Sequence, residues 1–385
     1  MSNIEHALVP QSEWLLDPEV TFLNHGSFGA VPRAVLEEQR RLQERMERNP
    51  AKFLAFELPT ALRAAADRLA SFAGGVGTDY AFVENATAAC NTILNSVRFD
   101  PGDEILVTDH CYPAISKTLE HIASRTGARL TEAKVPFPLL DQAQVVAAIE
   151  ARLGSRPRLV ILDHVTSPTA LVFPVRDLTA LCHKAGSQVL IDAAHAPGML
   201  SLDIPSINAD WYVGNCHKWL MAPKGSAFIW SPPNHQVAIH PLVISHGFEQ
   251  GFTAEFDWIG TRDPTAWLTV PAAIDWHNRM GGPMLRQRNA SLVEKAAHQL
   301  ADCWNTEIGS PAMNGAAMTT VRLPLNGDAT AERALDLRSA LLKEHRIDVA
   351  VVAFGRKLWA RISAQAYNSL TDYCHLADVI DNWRG

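Results

Sequence analysis

Cysteine is scarce in this chain of 385 residues and follows no disulfide or metal-binding pattern. The six cysteines, at positions 90, 111, 182, 216, 303 and 374, form no C-x-x-C pair. Disulfide-stabilised domains and structural zinc sites need closely spaced cysteines. The sequence therefore argues against both kinds of site. We expect no metal site and mostly buried thiols.

A surplus of basic charge and a long apolar run are also missing. The chain has 34 Lys and Arg against 41 Asp and Glu, so its formal net charge is −7. Because proteins that bind nucleic acid or anionic membranes usually carry a basic patch, we expect neither partner. No apolar run reaches the roughly 18 residues that could span a membrane, and residues 1–30 lack a signal-peptide pattern. These absences predict a cytoplasmic protein.

The length and composition indicate a globular chain with more than one domain. Apolar residues make up 47% and charged residues 19% of the sequence, as in soluble proteins, and 385 residues exceed one ordinary core. The composition shifts beyond Gly260, where a long, interrupted helical stretch follows. We predict an N-terminal arm at 1–30 that contributes to the small domain and the active site, a large domain at 31–265, and a linker helix with a small C-terminal α/β domain at 266–385.

Short apolar runs alternate with helical patterns between Tyr80 and Trp230. The clearest predicted strands span 104–108, 159–162 and 188–191. This alternation predicts an α/β fold with a mostly parallel central sheet and right-handed crossovers. Ligands of such sheets bind beyond the carboxyl ends of the strands. Polar clusters follow several of these strands, so we expect a ligand site there.

Lys218 lies between two apolar runs, one ending at Val213 and one spanning 227–230, and is therefore predicted on a turn between buried strands. Burial favours the neutral amine, the form that condenses with a carbonyl. Asp192 ends a predicted strand about two dozen residues upstream, and enzymes that use pyridoxal 5′-phosphate (PLP) pair a lysine with such an acid. A predicted helix after Asn85 adds free amides for an anion. These features predict a PLP site with Lys218 and Asp192 as its catalytic residues.

Four segments together give the chain a resemblance to a known family. They are Asp192-x-x-His195, His217-Lys218, Val165-Thr166-Ser167-Pro168-Thr169-Ala170-Leu171 and Gly260-Thr261-Arg262-Asp263. The chain resembles class V aminotransferase-type PLP enzymes, most closely the isopenicillin N epimerase-like branch, which also contains cysteine C–S lyases. The resemblance covers residues 22–368. It implies a PLP-dependent transferase fold of type I and a homodimer with its active site at the subunit boundary.

The resemblance also implies a role for each matching residue. Lys218 resembles the lysine that holds the cofactor and moves protons at the substrate Cα, and Asp192 resembles the acid that hydrogen-bonds the pyridine nitrogen. The other implied cofactor-binding residues are Ala86 and Thr87 at the phosphate-binding helix start, His217 on the phosphate, His195 near the ring hydroxyl, Tyr112 stacked on the ring, Ser167 near the cofactor, and Thr261 offered to the phosphate across the subunit interface.

Two further residues are predicted to bind the substrate, an amino acid or a similar small molecule. Arg361 resembles the arginine that grips the α-carboxylate, a task that suits its planar fork of donors. Asn24, in the glycine-containing turn of the arm, is the second. One alternative stays open at the cofactor ring, since His110 lies two residues from Tyr112 and competes with it for the stacking position. Ser167 could instead cap the segment that follows it.

The sequence leaves several reactions open. Related cysteine desulfurases carry a nucleophilic cysteine before the carboxylate-binding arginine, whereas the loop at 351–357 has none. A persulfide-forming reaction is therefore disfavoured. The leading hypothesis is C–S β-elimination on a cysteine conjugate. The alternatives are epimerisation of an isopenicillin N-type amino acid, transamination, and a PLP-fold protein that binds a ligand without turnover.

Overall fold

The structure, a computed structural model, describes residues 6–312 and 314–383. Its strands are β1 (Thr21–Phe22), β2 (Tyr80–Val83), β3 (Glu104–Thr108), β4 (Arg129–Ala133), β5 (Leu159–Asp163), β6 (Gln188–Ala193), β7 (Trp211–Asn215), β8 (Ala227–Trp230), β9 (Met318–Arg322), β10 (Ile347–Asp348), β11 (Ala350–Phe354) and β12 (Lys357–Ser363).

The helices are α1 (His25–Phe28), α2 (Arg33–Arg48), α3 (Pro50–Lys52), α4 (Leu58–Ala73), α5 (Ala86–Ser96), α6 (Pro113–Thr126), α7 (Ala143–Glu150), α8 (Val175–Lys184), α9 (Ile204–Ile207), α10 (Pro233–Gln236), α11 (Phe252–Asp257), α12 (Thr265–Leu268), α13 (Val270–Arg279), α14 (Pro283–Trp304), α15 (Ala331–His345) and α16 (Leu370–Asp381).

A seven-stranded sheet forms the centre of the fold, in the order β2-β8-β7-β6-β5-β3-β4. The strands from β7 to β4 pair in parallel, whereas β8 is antiparallel to both of its neighbours. The predicted mostly parallel sheet is thus observed. All the carboxyl ends of the parallel strands meet at one edge, because helical crossovers return the chain to the opposite edge each time.

Both faces of this sheet are covered, which explains the continuous apolar runs of its strands. On β6, Val189 and Ile191 face one hydrophobic cluster, while Leu190 faces another. The same alternation occurs on β2, where Phe82 and Ala81 contribute to different clusters. Because apolar clusters cover both faces of the sheet, a ligand can reach polar side chains only where the strands end.

The C-terminal part builds a second, smaller sheet in the order β11-β12-β9, with antiparallel pairing. The N-terminal arm joins this part, because β1 pairs in parallel with β10 and Leu23 packs into the C-terminal hydrophobic cluster. The predicted domain limits at residues 30 and 265 stay a prediction, and residues 1–5 of the arm lie outside the described part. Within the described ranges, no helix has both the length and the apolar character needed to cross a bilayer.

Candidate active site

A cavity of about 220 Å³ lies at the carboxyl ends of β5, β6 and β7. Its wall also includes the first residues of α5 and the turn that contains α1. The residues that line it are Ser27, Phe28, Asn85, Ala86, Thr87, Tyr112, Asp163, Val165, Ser167, Asp192, Ala194, His195, Asn215, His217 and Lys218. Eight of the predicted site residues are among them: Ala86, Thr87, Tyr112, Ser167, Asp192, His195, His217 and Lys218.

Lys218 lies on the loop between β7 and β8, as predicted, with its amine at the cavity. Its Nζ is 3.2 Å from Nε2 of His195. Burial and, after it, the charge of the nearby Arg361 lower the pKa of Lys218 to about 7, although Asp192 opposes the change. A substantial fraction of the amine is therefore neutral, and nucleophilic, near neutral pH.

Two glycines lie in close contact with the backbone of the Lys218 loop. Gly29 has φ +70°, and a Cβ there would lie 2.2 Å from the carbonyl oxygen of His217. Gly198 has φ +86°, and a Cβ there would lie 2.4 Å from the backbone of Trp219. At Gly29, the glycine-containing turn of the arm thus lies against the loop that carries the lysine.

Asp192, the last residue but one of β6, lies beside Asp163, its register partner on β5. Both carboxyl groups are buried. Burial, followed by the charge of Asp192, raises the pKa of Asp163 well above its usual value. Burial also raises the pKa of Asp192, but the backbone amide of Ala194 and the amine of Lys218 oppose this rise. The pair therefore favours one negative charge, on Asp192, and a neutral Asp163.

The start of α5 forms the anion-binding end of the cavity. Asn85 caps the helix by accepting a hydrogen bond from the backbone amide of Ala88, as predicted. The amide of Ala86 donates to Oδ1 of Asn215 at 2.8 Å. Thr87 follows at the cavity wall, where the helix dipole favours an anion.

His217, which is predicted to contact the phosphate, also lines the cavity. Its Nδ1 is 2.9 Å from the carbonyl oxygen of Ser226, an acceptor, so Nδ1 carries a proton. Neutral His217 then presents a lone pair at Nε2, and burial lowers its pKa to about 4. It can donate to a phosphate only as the imidazolium, which the phosphate charge itself would favour.

Arg361 is buried behind the cavity wall, and its hydrogen-bond partners are neutral. Nη1 donates to the backbone carbonyl and, at 3.3 Å, to the hydroxyl of Ser167, while Nη2 donates to Ser27 Oγ at 3.0 Å. Its Nε has no partner within the described part of the chain. Burial lowers the pKa of Arg361 to about 10, still far above neutral pH. A buried cation with only neutral partners is suited to an anionic ligand.

Asn24 does not line the cavity but holds the residues that do. The hydroxyl of Ser27 donates to Asn24 Oδ1 at 2.6 Å, and Asn24 Nδ2 donates to Asp348 Oδ1 at 2.9 Å. Asn24 therefore contacts the site through Ser27, which in turn accepts from Arg361. Ser167 lines the cavity and also binds Arg361, so its side chain faces the site rather than only capping the next segment.

The structure separates the two candidates for the cofactor ring. Tyr112 lines the cavity and is 39% exposed. His110 is fully buried, and its ring nitrogens contact the Thr169 hydroxyl at 2.6 Å and the Val135 carbonyl at 3.1 Å. Geometry thus favours Tyr112 as the ring that meets a ligand. Thr261 is exposed and lies outside the cavity of its own chain.

Among the lining residues that were not predicted as site residues, three have polar side chains to which the sequence gave no role: Asp163, Asn215 and Ser27. Asp163 and Asn215 end parallel strands, so the rule that selected Asp192 could have found both. Ser27 lies in the glycine-containing turn of the arm, where no local pattern distinguishes it from its neighbours.

Comparison with known proteins agrees with this geometry. The family model for aminotransferase class V matches residues 24–372. The chain is 32% identical to a probable chloroplastic L-cysteine desulfhydrase of Arabidopsis thaliana, over 95% of this chain and 83% of that protein. It is 34% identical to isopenicillin N epimerase of Streptomyces clavuligerus, over 96% of each chain.

Solved structures share the fold. A C-DES mutant with glycine covalently linked to its PLP cofactor superposes with a TM-score of 0.83 and 22% identity, covering 97% of this chain and all of that one. A cysteine desulfurase of Thermococcus onnurineus NA1 has a TM-score of 0.81 and 18% identity, covering 96% of each chain. The predicted type I fold and the predicted family are confirmed. This chain belongs to the aminotransferase class V family.

Proposed function

We propose that this protein is a PLP-dependent lyase that cleaves the Cβ–S bond of cysteine or a cysteine conjugate by β-elimination. The observation that carries the proposal is that Lys218, with a pKa of about 7, lines the same cavity as the buried Asp192. The similarity to proteins named L-cysteine desulfhydrase, at 32% and 33% identity, supports the reaction type.

The residues of the cavity fit the cofactor. Asp192 offers a carboxylate oxygen for a protonated pyridine nitrogen, because only one of its oxygens accepts the Ala194 amide. The helix start at Thr87, with His217, would hold the phosphate, and His195 and Tyr112 would contact the ring. When bound, PLP supplies a ring that accepts the electron pair left at Cα.

The chain's own residues supply the rest of the chemistry. Arg361 would bind the α-carboxylate and so orient the substrate with its Cα–H toward Lys218. The neutral amine of Lys218 removes the Cα proton. The Cβ–S bond then breaks, its electron pair leaves with sulfur as a thiolate, and a Cα=Cβ double bond forms in the substrate. The ammonium of Lys218 can return the proton to the thiolate.

A persulfide route is not supported by the cavity. None of its lining residues is a cysteine. Cys111 adjoins Tyr112, but burial raises the pKa of its thiol well above the usual value, and so disfavours the reactive thiolate.

Epimerisation is the second candidate function, because the chain matches isopenicillin N epimerase at 34% identity over almost the whole of both proteins.

One incubation separates these functions. The PLP-loaded protein is mixed in deuterated water with L-cysteine, with S-substituted cysteines, and with an L-amino acid that lacks a β-leaving group. Elimination yields pyruvate, ammonia and a thiol, whereas epimerisation yields a D-amino acid with deuterium at Cα. Lys218→Ala should abolish either outcome, and Lys117→Ala, which changes an exposed lysine on α6 outside the cavity, serves as the control. Absence of both products with an intact PLP signal would refute the proposal.

We further propose a homodimer in which Thr261 reaches the phosphate of the neighbouring site. Exposed apolar residues between positions 237 and 248 support an interface: Val237, Leu242, Val243, Ile244 and Phe248. Mixing Thr261→Asp chains with Lys218→Ala chains tests it, since each mixed dimer then contains one intact site. Activity should reach about a quarter of the wild-type value in a random mixture. Activity no higher than that of the Thr261→Asp parent would place Thr261 at its own subunit's site.

The predicted cytoplasmic location stays a prediction, and one relative is chloroplastic by name.

A further inference from the structure

Trp219 follows the lysine, and its indole contacts His195 rather than the cavity. Trp219 Nε1 donates to His195 Nδ1 at 3.2 Å, and both side chains are buried. An indole N–H can only donate, so Nδ1 of His195 must be the acceptor and carry no proton. A neutral imidazole has one N–H, which then lies on Nε2.

Nε2 of His195 is the atom that lies 3.2 Å from Lys218 Nζ. With its proton on Nε2, His195 donates toward Lys218, and the amine must accept through its lone pair. An ammonium has no lone pair, so a protonated Lys218 would face a second donor. We infer that Trp219 is a positioning residue that holds His195 in the Nε2–H tautomer and thereby favours the neutral amine of Lys218.

The other groups around this contact do not supply the same control. Burial lowers the pKa of His195 well below its usual value, with Lys218, Arg361 and His217 adding to the effect, so the ring is neutral. Arg361 and Asp192 act on Lys218 with opposite signs. His25 reaches Lys218 only at its backbone carbonyl, and its ring, which burial keeps neutral, packs against Trp219 with centroids 5.1 Å apart. Burial makes the ring neutral whichever nitrogen holds the proton. The bond from Trp219 to Nδ1 is therefore the contact that favours the Nε2–H tautomer, since Lys218 can either donate to Nε2 or accept from it.

The Nε2–H tautomer of His195 would also matter after Lys218 has combined with the cofactor. When Lys218 is engaged by the cofactor, the same His195 N–H would remain directed into the cavity as a donor. This use rests on the proposed function. The tautomer itself is a property of the chain and is measured without cofactor, so either can fail without the other.

The test uses the full-length chain labelled with ¹⁵N-histidine, both without cofactor and with PLP added. A long-range ¹H–¹⁵N correlation spectrum distinguishes protonated from unprotonated ring nitrogens, and loss of its signal in His195→Gln assigns His195. In the wild type we expect Nε2–H. Trp219→Phe, which keeps an aromatic ring but removes the donor, should shift His195 to Nδ1–H or to a mixture. An Nδ1–H tautomer in the wild type, or an unchanged spectrum in Trp219→Phe, would overturn the inference.

The amine is followed separately by its reaction with cyanate, with modified Lys218 counted by mass spectrometry across pH. Trp219→Phe should slow this reaction at pH 7 by about three- to tenfold, because an unprotonated Nε2 stabilises the ammonium. Trp359→Phe is the matched control, since its buried indole donates to the Phe354 carbonyl away from the cavity. In a His195→Gln background, where no tautomer exists, Trp219→Phe should have little effect. An equal effect in both backgrounds would show that it does not pass through His195.

Discussion

Asp163 and Asp192 are register partners on β5 and β6, and their buried carboxyl groups share the wall of one cavity. Their mutual repulsion and their burial raise the pKa of Asp163 well above its usual value. The unfolded chain loses this proton near pH 4, whereas the folded chain keeps it. The stability that this proton contributes is therefore fully present below about pH 4 and is lost as pH rises through the folded pKa.

Asp163→Asn should remove the loss of stability that the wild type shows as pH rises, because the asparagine has no proton to release. Relative to the wild type, the variant without cofactor should gain stability as pH rises from 4 to 7, by about 1.4 kcal/mol for each unit that separates the two pKa values. Thermal unfolding midpoints across this range measure the gain. Asp177→Asn, at an exposed position on α8, is the control. A constant difference between Asp163→Asn and the wild type at every pH would contradict the shared-proton arrangement.

Lys218 should combine with PLP in its neutral form, so its own pKa sets the pH dependence of loading. The pKa of about 7 predicts that the initial loading rate rises through pH 7 and levels off above it. Growth of the visible absorption after PLP is added to cofactor-free protein measures this rate. Lys117→Met, at an exposed position on α6, should load normally, whereas Lys218→Ala should show no lysine-bound signal. A rate that keeps rising tenfold per pH unit up to pH 10 would mean that Lys218 behaves as an ordinary lysine.

Arg361 is a buried cation with neutral partners, so its loss should harm substrate binding more than folding. Arg361→Met should raise the KM for the amino acid on the order of a hundredfold. It should leave the thermal midpoint of the cofactor-free protein unchanged or higher, because no carboxylate loses its partner. Arg288→Met is the control, since Arg288 is also buried with neutral hydrogen-bond partners, none of which lines the cavity. An unchanged KM would remove Arg361 from the substrate site.

Tyr112 and His110 should respond differently to substitution. Tyr112→Leu should weaken PLP binding about three- to tenfold, as expected for the loss of one aromatic contact. His110→Ala should mainly lower the thermal midpoint, because it breaks two buried hydrogen bonds. Equilibrium titration with PLP and thermal unfolding of both variants check the pair. The reverse pattern would identify His110 as the ring that contacts the cofactor.

The sequence by itself determined the central sheet and the chemical type of the site. Apolar runs such as Leu159–Asp163 and Ala227–Trp230 are strands because they are buried on both faces, a condition that local composition reveals. For the same reason, Asp192 could be placed near the end of a strand and Lys218 on a loop between two strands.

Tertiary structure decided which side chains meet. The pairing of Asp163 with Asp192 depends on the register of two strands joined by a crossover helix. The bond from Arg361 to Ser27 joins positions 334 residues apart, and no local pattern encodes such a contact. The contact of Trp219 with His195 depends on how the Lys218 loop packs behind the sheet edge. Residue types and periodicity thus specified what the cavity contains, whereas packing of distant segments specified the charge and hydrogen-bonding state of each group.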